Sequence, residues 1–178
     1  MKSLDSELLK ELLARAADQL EGKWLLLGGT LLPALGLDVR STVDVDLVCL
    51  EKVGPNQTLR LMELAETLGL PVETINQAAA FFLEKAGYTE DDLILLRKGK
   101  SAVIYRPTVE LYWKLKIPRL TESDLLDCQH YFHYSKGQKN PFDEESLRAL
   151  VELALQGPSS PERVRRLERL LAIVSAKH

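Results

Sequence analysis

Residues 25 to 50 read LLLGGTLLPALGLDVRSTVDVDLVCL, and they contain the strongest structural signals of the chain. The apolar run that ends at Leu27 predicts a buried strand, which stops at Gly28 and Gly29. A short helix is expected over Thr30–Leu35, and the β-branched, mostly apolar run Thr42–Leu50 predicts a second strand. The segment therefore predicts a strand, a tight glycine turn, a short helix and another strand.

The periodicity of apolar residues organises the rest of the chain. Helical spacing recurs over three further segments, Ser3–Leu20, Gln57–Leu68 and about Ile75–Lys85, and two β-like runs, Leu93–Arg97 and Ser101–Arg106, predict a hairpin. After Pro107 the pattern is helical over Val109–Ile117, Glu122–Tyr134, Glu144–Gln156 and Pro161–Ala176. We therefore expect an α/β (α+β) core with a short mixed sheet and flanking helices over residues 1–106, followed by a helical part over residues 107–178.

Composition excludes several classes of protein. The 178 residues are 46% hydrophobic and 28% charged, which is typical of a globular chain with its own core and not of a disordered or disulfide-scaffolded one. Cys49 and Cys128 stand far apart and have no partner at a zinc-ligand spacing, so we expect free thiols. No signal peptide or membrane span is evident, and the net charge of -3 argues against overall attraction to nucleic acid or acidic membranes. These features predict a cytoplasmic protein that does not associate with a membrane.

Two acidic residues interrupt the second predicted strand. Side chains alternate along a strand, so Asp44 and Asp46 are expected on the same face. An apolar strand tolerates two neighbouring carboxylates if a cation lies between them, if they lie at an exposed strand end, or if a donor such as Arg40 pairs them. The spacing therefore predicts either a cation site or two solvated acids at the strand edge.

The glycine turn points to a ligand that carries phosphate. Gly28 and Gly29 would let the backbone approach such a ligand closely, and the helix that follows would offer free N–H groups. Thr30 adds a hydroxyl group. The same residues are also compatible with a simple tight turn. The turn indicates a phosphate site only in combination with the acidic strand that follows it.

An apolar strand, Gly-Gly, a short helix and Asp-x-Asp on the next strand resemble the DNA polymerase beta-type nucleotidyltransferase superfamily. The pattern Arg40, Thr42, Asp44 and Asp46 is most similar to its small bacterial branch related to the AbiE-type toxins. A second similarity to that branch lies in the helical part, in Pro107, Leu111, Lys114, Leu115, Arg119, Asp124 and Asp127. Together the two segments cover about a third of the chain.

The resemblance implies a function and a set of site residues. Asp44 and Asp46 would be catalytic and would hold Mg²⁺ (or Mn²⁺), and the nucleotide-binding residues would be Gly28, Gly29, Thr30, Arg40, Thr42 and Lys114. The chain would move NMP from an NTP substrate to a hydroxyl group of an acceptor, either tRNA or a protein. It would then belong to a toxin-antitoxin or phage-defence system and would have a cognate antitoxin as a partner.

One departure from the superfamily pattern leaves an alternative open. Active members usually supply a third carboxylate from a neighbouring strand, but the two hairpin runs contain no Asp or Glu. Asp91, Asp92 and Glu110 lie just outside these runs. The chain is therefore either an enzyme that uses one of them, a catalytically silent nucleotide- or partner-binding module, or a purely structural α/β protein whose two aspartates are paired by Arg40.

Charge is distributed unevenly along the chain. Between Arg97 and Arg119 lie seven basic residues and a single acid, Glu110. A cationic segment beside the acidic strand would suit a triphosphate. The same charges are also compatible with a solvated hairpin tip and a basic helix face.

Overall fold

The computed structural model describes residues 4–37, 43–51, 56–138 and 142–176. The chain divides into two compact units, Met1–Pro107 and Thr108–His178. The first unit contains the sheet and the second is built from helices. Within the described ranges, no helix is long and apolar enough to cross a membrane.

The first unit alternates helices and strands. Its elements are α1 (Ser6–Gln19), β1 (Gly22–Leu27), α2 (Leu31–Ala34), β2 (Val45–Cys49), α3 (Asn56–Thr67), β3 (Ile75–Asn76), α4 (Ala80–Ala86), β4 (Leu93–Lys98) and β5 (Ala102–Pro107). A 3-10 turn, Glu90–Asp92, precedes β4. The strands form one five-stranded mixed sheet, which agrees with the α+β fold class expected from the sequence.

The order of the strands in the sheet is β3-β2-β1-β5-β4. β1 is antiparallel to β2 and parallel to β5, β2 is parallel to β3, and β4 is antiparallel to β5. The last residues of β1 and β5 therefore lie at the same end of the sheet as the first residues of β2, β3 and β4. We call this the Asp46 end, because Asp46 lies opposite Leu27 there.

The centre of the sheet forms the core of this unit. The four residues Trp24–Leu27 of β1 are buried, as are Val45, Leu47 and Val48 of β2. Trp24 also satisfies its indole N–H, which donates to the carbonyl of Glu21 at 2.9 Å. The apolar runs on either side of the glycine turn are therefore adjacent, buried strands, as their composition predicts.

The prediction of a helix over Ile75–Lys85 was wrong in its first half. Ile75 and Asn76 form a short strand beside β2, and the helix begins only at Ala80. The amide of Val45 donates to the Thr74 carbonyl at 2.7 Å, and the Asn76 side chain accepts from the amide of Ala78 at 2.9 Å. Pairing with β2 and this local asparagine turn therefore replace the first helical turn.

The second unit contains α5 (Val109–Lys116), α6 (Glu122–Gly137), α7 (Glu144–Gln156) and α8 (Pro161–Ser175), in agreement with the helical pattern of the sequence. Before each helix, a capping side chain accepts a hydrogen bond from a backbone amide of the first turn. The capping residues are Thr108, Thr121, Asp143 and Ser160. Aromatic rings pack between α5 and α6. The ring centroids of Tyr112 and Tyr131 are 4.9 Å apart, and those of Trp113 and Phe132 are 5.9 Å apart. The Trp113 indole N–H donates to the Cys128 carbonyl at 3.1 Å.

Candidate functional site

The glycine turn and the acidic strand meet at the Asp46 end of the sheet. Leu27, the last residue of β1, is paired with Asp46 of β2, and Gly28 follows with φ +70°. A Cβ placed on Gly28 would collide with the Asp46 carboxylate. The carboxylate therefore lies directly against the Gly28 Cα, and a side chain at residue 28 would require the Asp46 carboxylate to move.

The two aspartates differ in their exposure. Asp46 is half-buried within β2, whereas Asp44 is exposed and lies just before the strand begins. This position satisfies one of the conditions under which an apolar strand tolerates two acids, because both lie at the end of the strand and not within the core. The pair is accessible from solvent on the side of Asp44.

Thr30 contributes to the turn itself. Its side chain is fully buried, and its hydroxyl donates to the Leu27 carbonyl at 3.4 Å. The following helix, α2, is a single turn of four residues. The Thr30 hydroxyl therefore stabilises the glycine turn and is not presented to solvent, whereas Gly28 and Gly29 are half-buried.

Three other residues were expected at the site, namely Arg40, Thr42 and Lys114. Arg40 and Thr42 fall outside the described residues. Lys114 belongs to the other compact unit, where it lies on the exposed side of α5. The part of the site that the structure describes therefore consists of Gly28, Gly29, Asp44 and Asp46.

The structure adds a residue that sequence reasoning missed. In β3, Asn76 is the in-register partner of Asp46, so the two side chains lie on the same face of neighbouring strands. Asn76 is half-buried, and its Oδ1 accepts the Ala78 amide proton. The only signal in the sequence was the β-branched pair Thr74–Ile75, which is too short to predict a strand. The in-register neighbour of Asp46 on β3 is therefore an amide side chain.

Two of the three carboxylates suggested as third ligands, Asp91 and Asp92, lie in the turn before β4. Asp92 caps the turn before β4, accepting from the Thr89 amide at 2.8 Å, and Asp91 is its neighbour. The sheet order places β4 three strands from β2, a separation of about 14 Å at the usual strand spacing. Glu110 is in the second unit and accepts the Asp143 amide proton at 2.7 Å. None of the three is beside Asp46 in the sheet.

The donor set fits one kind of metal site. Among the residues that the structure describes, no group of three or more His, Cys, Asp or Glu side chains could hold a metal ion. Mg²⁺ is commonly bound by one or two carboxylates together with substrate phosphates and water. Asp44 and Asp46 therefore fit a magnesium ion that binds together with a nucleotide, and they do not form a preformed protein cage.

The basic segment of the sequence is dispersed by the fold. Arg97, Lys98 and Lys100 lie at the β4–β5 hairpin tip, which is at the opposite end of the sheet from Asp46. The tip is fixed to the end of α1, since the Ser101 amide donates to the Ala17 carbonyl at 3.2 Å. The expectation that this cationic run accompanies the acidic strand is therefore wrong for its hairpin part.

A second cluster of charged groups is enclosed in the helical unit. The Lys116 ammonium lies 3.0 Å from Oδ1 of Asp124 and 2.9 Å from Oδ2 of Asp127, and all three side chains are buried. Arg119 donates two hydrogen bonds to Asp124, at 2.8 and 2.7 Å. The buried acids are therefore matched by two cations from the same unit. The lysine beside the downstream aspartate pair is Lys116 and not Lys114.

Two groups of this region, Asp124 and Cys128, have shifted pKa values. Burial by itself would raise the pKa of Asp124, but hydrogen bonds from Arg119 and the charge of Lys116 outweigh it and hold that pKa well below its usual range. Burial raises the pKa of the Cys128 thiol well above its ordinary value. Both cysteines are free, as the sequence predicts, and the structure shows that both are buried. Cys128 is therefore a protonated, unreactive thiol.

Comparisons with protein-family models, with curated proteins and with solved structures found no match to this chain.

Proposed function

We propose that this protein is a Mg²⁺-dependent nucleotidyltransferase that moves NMP from an NTP to a hydroxyl group of an RNA or protein acceptor. The observation that supports the proposal is the packing of the Asp46 carboxylate against the Gly28 Cα. The two halves of the sequence pattern, the glycine turn and the acidic strand, are thereby joined at one end of the sheet.

The glycine turn would bind the phosphates of the nucleotide, and the acidic strand would bind the metal ion. The backbone of Gly28 and Gly29 would lie close to the β and γ phosphates, because no side chain keeps a ligand at a distance. Asp44 and Asp46 would hold the magnesium ion, which offsets the negative charge of the triphosphate. The acceptor oxygen would attack the α phosphorus, the bond from that phosphorus to the β-phosphate oxygen would break, and pyrophosphate would leave. The hydroxyl proton would pass to solvent or to a neighbouring carboxylate, and positioning would supply most of the rate.

A catalytically silent module is the second candidate, and Asn76 is the observation that favours it. With an amide opposite Asp46, the site has two carboxylates where a complete one would have three. Such a site would bind a nucleotide with magnesium and release no pyrophosphate. The substitution Asn76→Asp addresses this directly, because it would add a carboxylate beside Asp46 while keeping an oxygen that can accept the Ala78 amide proton.

Labelled nucleotides separate these candidates. The wild type and the double variant Asp44→Asn, Asp46→Asn would be incubated with each α-labelled NTP, Mg²⁺, and either total RNA or a cell lysate. We expect label to reach RNA or protein with the wild type alone. A matched control is Glu84→Gln, which neutralises an exposed carboxylate on α4 and should leave transfer unchanged.

Each outcome has a meaning. Label on RNA identifies a nucleic-acid acceptor, and label on a protein band identifies a protein acceptor. If the wild type binds NTP with Mg²⁺ but transfers no label, and Asn76→Asp gains transfer, the silent module is the correct account. If neither the wild type nor the double variant binds NTP, the proposed site is wrong.

The biological setting rests on the resemblance to the AbiE-related branch. We propose that the chain is the toxin of a toxin-antitoxin or phage-defence system and that it has a cognate antitoxin. Expression of the wild type in bacteria should then slow growth, and the double aspartate variant should not. Equal growth with both proteins, at equal expression, would contradict this setting.

A further inference from the structure

β4 is an edge strand that is only partly covered. It begins with four consecutive apolar residues, Leu93–Leu96, yet none of its six residues is buried. Leu95 is 57% exposed. The opposite edge of the sheet is formed by β3, which is only two residues long. Of the two edges in the described sheet, β4 therefore offers the longer row of backbone groups for pairing with another strand.

The two ends of β4 carry opposite charges. The turn that leads into it, Glu90–Asp92, is acidic throughout, and the strand ends in Arg97 and Lys98. Asp91, Arg97 and Lys98 are all exposed. The strand therefore resembles a short apolar segment with a negative group at its start and a positive group at its end.

We propose that β4 is the surface through which two copies of this chain associate. In an antiparallel pair centred on Ile94, the acidic turn of each copy lies opposite the basic end of the other. Leu93 then faces Leu95 of the second copy, and the turn that contains Asp91 lies near Arg97 of that copy. The symmetry of the pair repeats both contacts, and the five-stranded sheet continues into that of the second copy.

A second copy fits this edge because the charge pattern is self-complementary. A partner of uniform charge would be attracted by one end of β4 and repelled by the other. The bulge between Leu95 and Arg97 interrupts the regular ladder, so the paired segment is short. The association should therefore depend on concentration and should weaken with salt, because part of it comes from exposed charges.

Sedimentation velocity of the full chain over a wide range of concentrations tests the proposal. We expect a monomer-dimer equilibrium, and we expect Leu95→Lys to weaken it by at least about tenfold in the dissociation constant. The matched control is Leu59→Lys on α3, where the leucine has a similar exposure of 54%. Thermal melts of both variants would establish that each is folded.

A charge exchange sharpens the test. Asp91→Lys and Arg97→Glu should each weaken dimerisation, because each places like charges near one another twice in the pair. The double variant restores opposite charges and should return the dissociation constant to within a few-fold of the wild type. A chain that stays monomeric at every concentration would overturn the proposal. So would a dimer that is unaffected by Leu95→Lys, or single charge variants that the double variant does not rescue.

Discussion

The fold places its two pairs of aspartates in different environments. Asp124 and Asp127, in the helical unit, are buried and receive their counter-charge from Lys116 and Arg119. At the end of the sheet, Asp44 is exposed, and Asp46 is half-buried and lies against the Gly28 backbone. The buried pair, matched by cations of its own unit, is part of the architecture. The pair at the strand end borders solvent and a glycine turn, and it is the pair for which we propose a ligand.

The largest expected effect is on the buried pair. Lys116→Met leaves two buried carboxylates without their shared cation, which should lower the free energy of unfolding by about 3–5 kcal/mol. Lys114→Met, on the exposed side of the same helix, should lower it by no more than about 1 kcal/mol. Urea denaturation of both variants measures the difference. Equal losses would show that the cluster does not depend on Lys116.

The glycine turn should be nearly as sensitive. Gly28→Ala adds a collision with the Asp46 carboxylate to the strain of a positive φ, and we expect a loss of about 2–4 kcal/mol. Gly69 is a closely matched control, since its φ is +69° and nothing lies within 4 Å of a Cβ placed there. Gly69→Ala should therefore cost about 1 kcal/mol, from strain alone. If the two variants lose the same free energy of unfolding, the collision with Asp46 does not contribute to the loss in Gly28→Ala.

Low pH should destabilise the chain through the buried carboxylate of Asp124. The pKa of Asp124 is lower in the folded chain than in the unfolded chain, so its contribution is fully present above the unfolded value of about 4 and is lost as pH falls through the folded value. The melting temperature should therefore fall as pH is lowered below about 4. Asp124→Asn should be less stable at neutral pH and should show a shallower fall. Parallel curves for the two proteins would contradict this assignment.

The smallest effect on stability is expected at the exposed acid. Asp44→Asn removes a solvated carboxylate and should change the free energy of unfolding by less than about 0.5 kcal/mol. The same change should abolish the stabilisation of the chain by ATP or another NTP with Mg²⁺ in a thermal-shift assay. If the variant keeps both its stability and the thermal shift caused by the NTP, Asp44 takes no part in ligand binding.

The sequence predicted the elements of this fold better than their arrangement. The strands on either side of Gly28 were predictable because their apolar runs are buried on both faces of the sheet. Ile75 and Asn76 were not, because a two-residue edge strand has no periodicity of its own and is defined by its pairing with β2. The hairpin tip could not be placed either, since its distance from Asp46 depends on the directions of the strands.

The candidate site shows the same division. Asp46 and Gly28 were identified by residue type and spacing, and the structure adds that they are in contact. The burial of Lys116 could have been predicted, because Val109, Tyr112, Trp113 and Lys116 follow the spacing of a buried helix face. Asn76 could not, since nothing in its local sequence marks it as a neighbour of Asp46.

The contact between Gly28 and Asp46 also constrains how this sequence can change over time. While residue 46 is an aspartate in this position, any side chain at residue 28 meets its carboxylate. A change at residue 46 to a smaller side chain would remove that block, and an asparagine, which tolerates a φ near +70°, would then become acceptable at residue 28. Residue 28 follows β1 and residue 46 lies near the start of β2. The two positions are therefore expected to vary together in the relatives of this chain. An acid at residue 46 with a bulky residue at residue 28 is the combination that selection should remove.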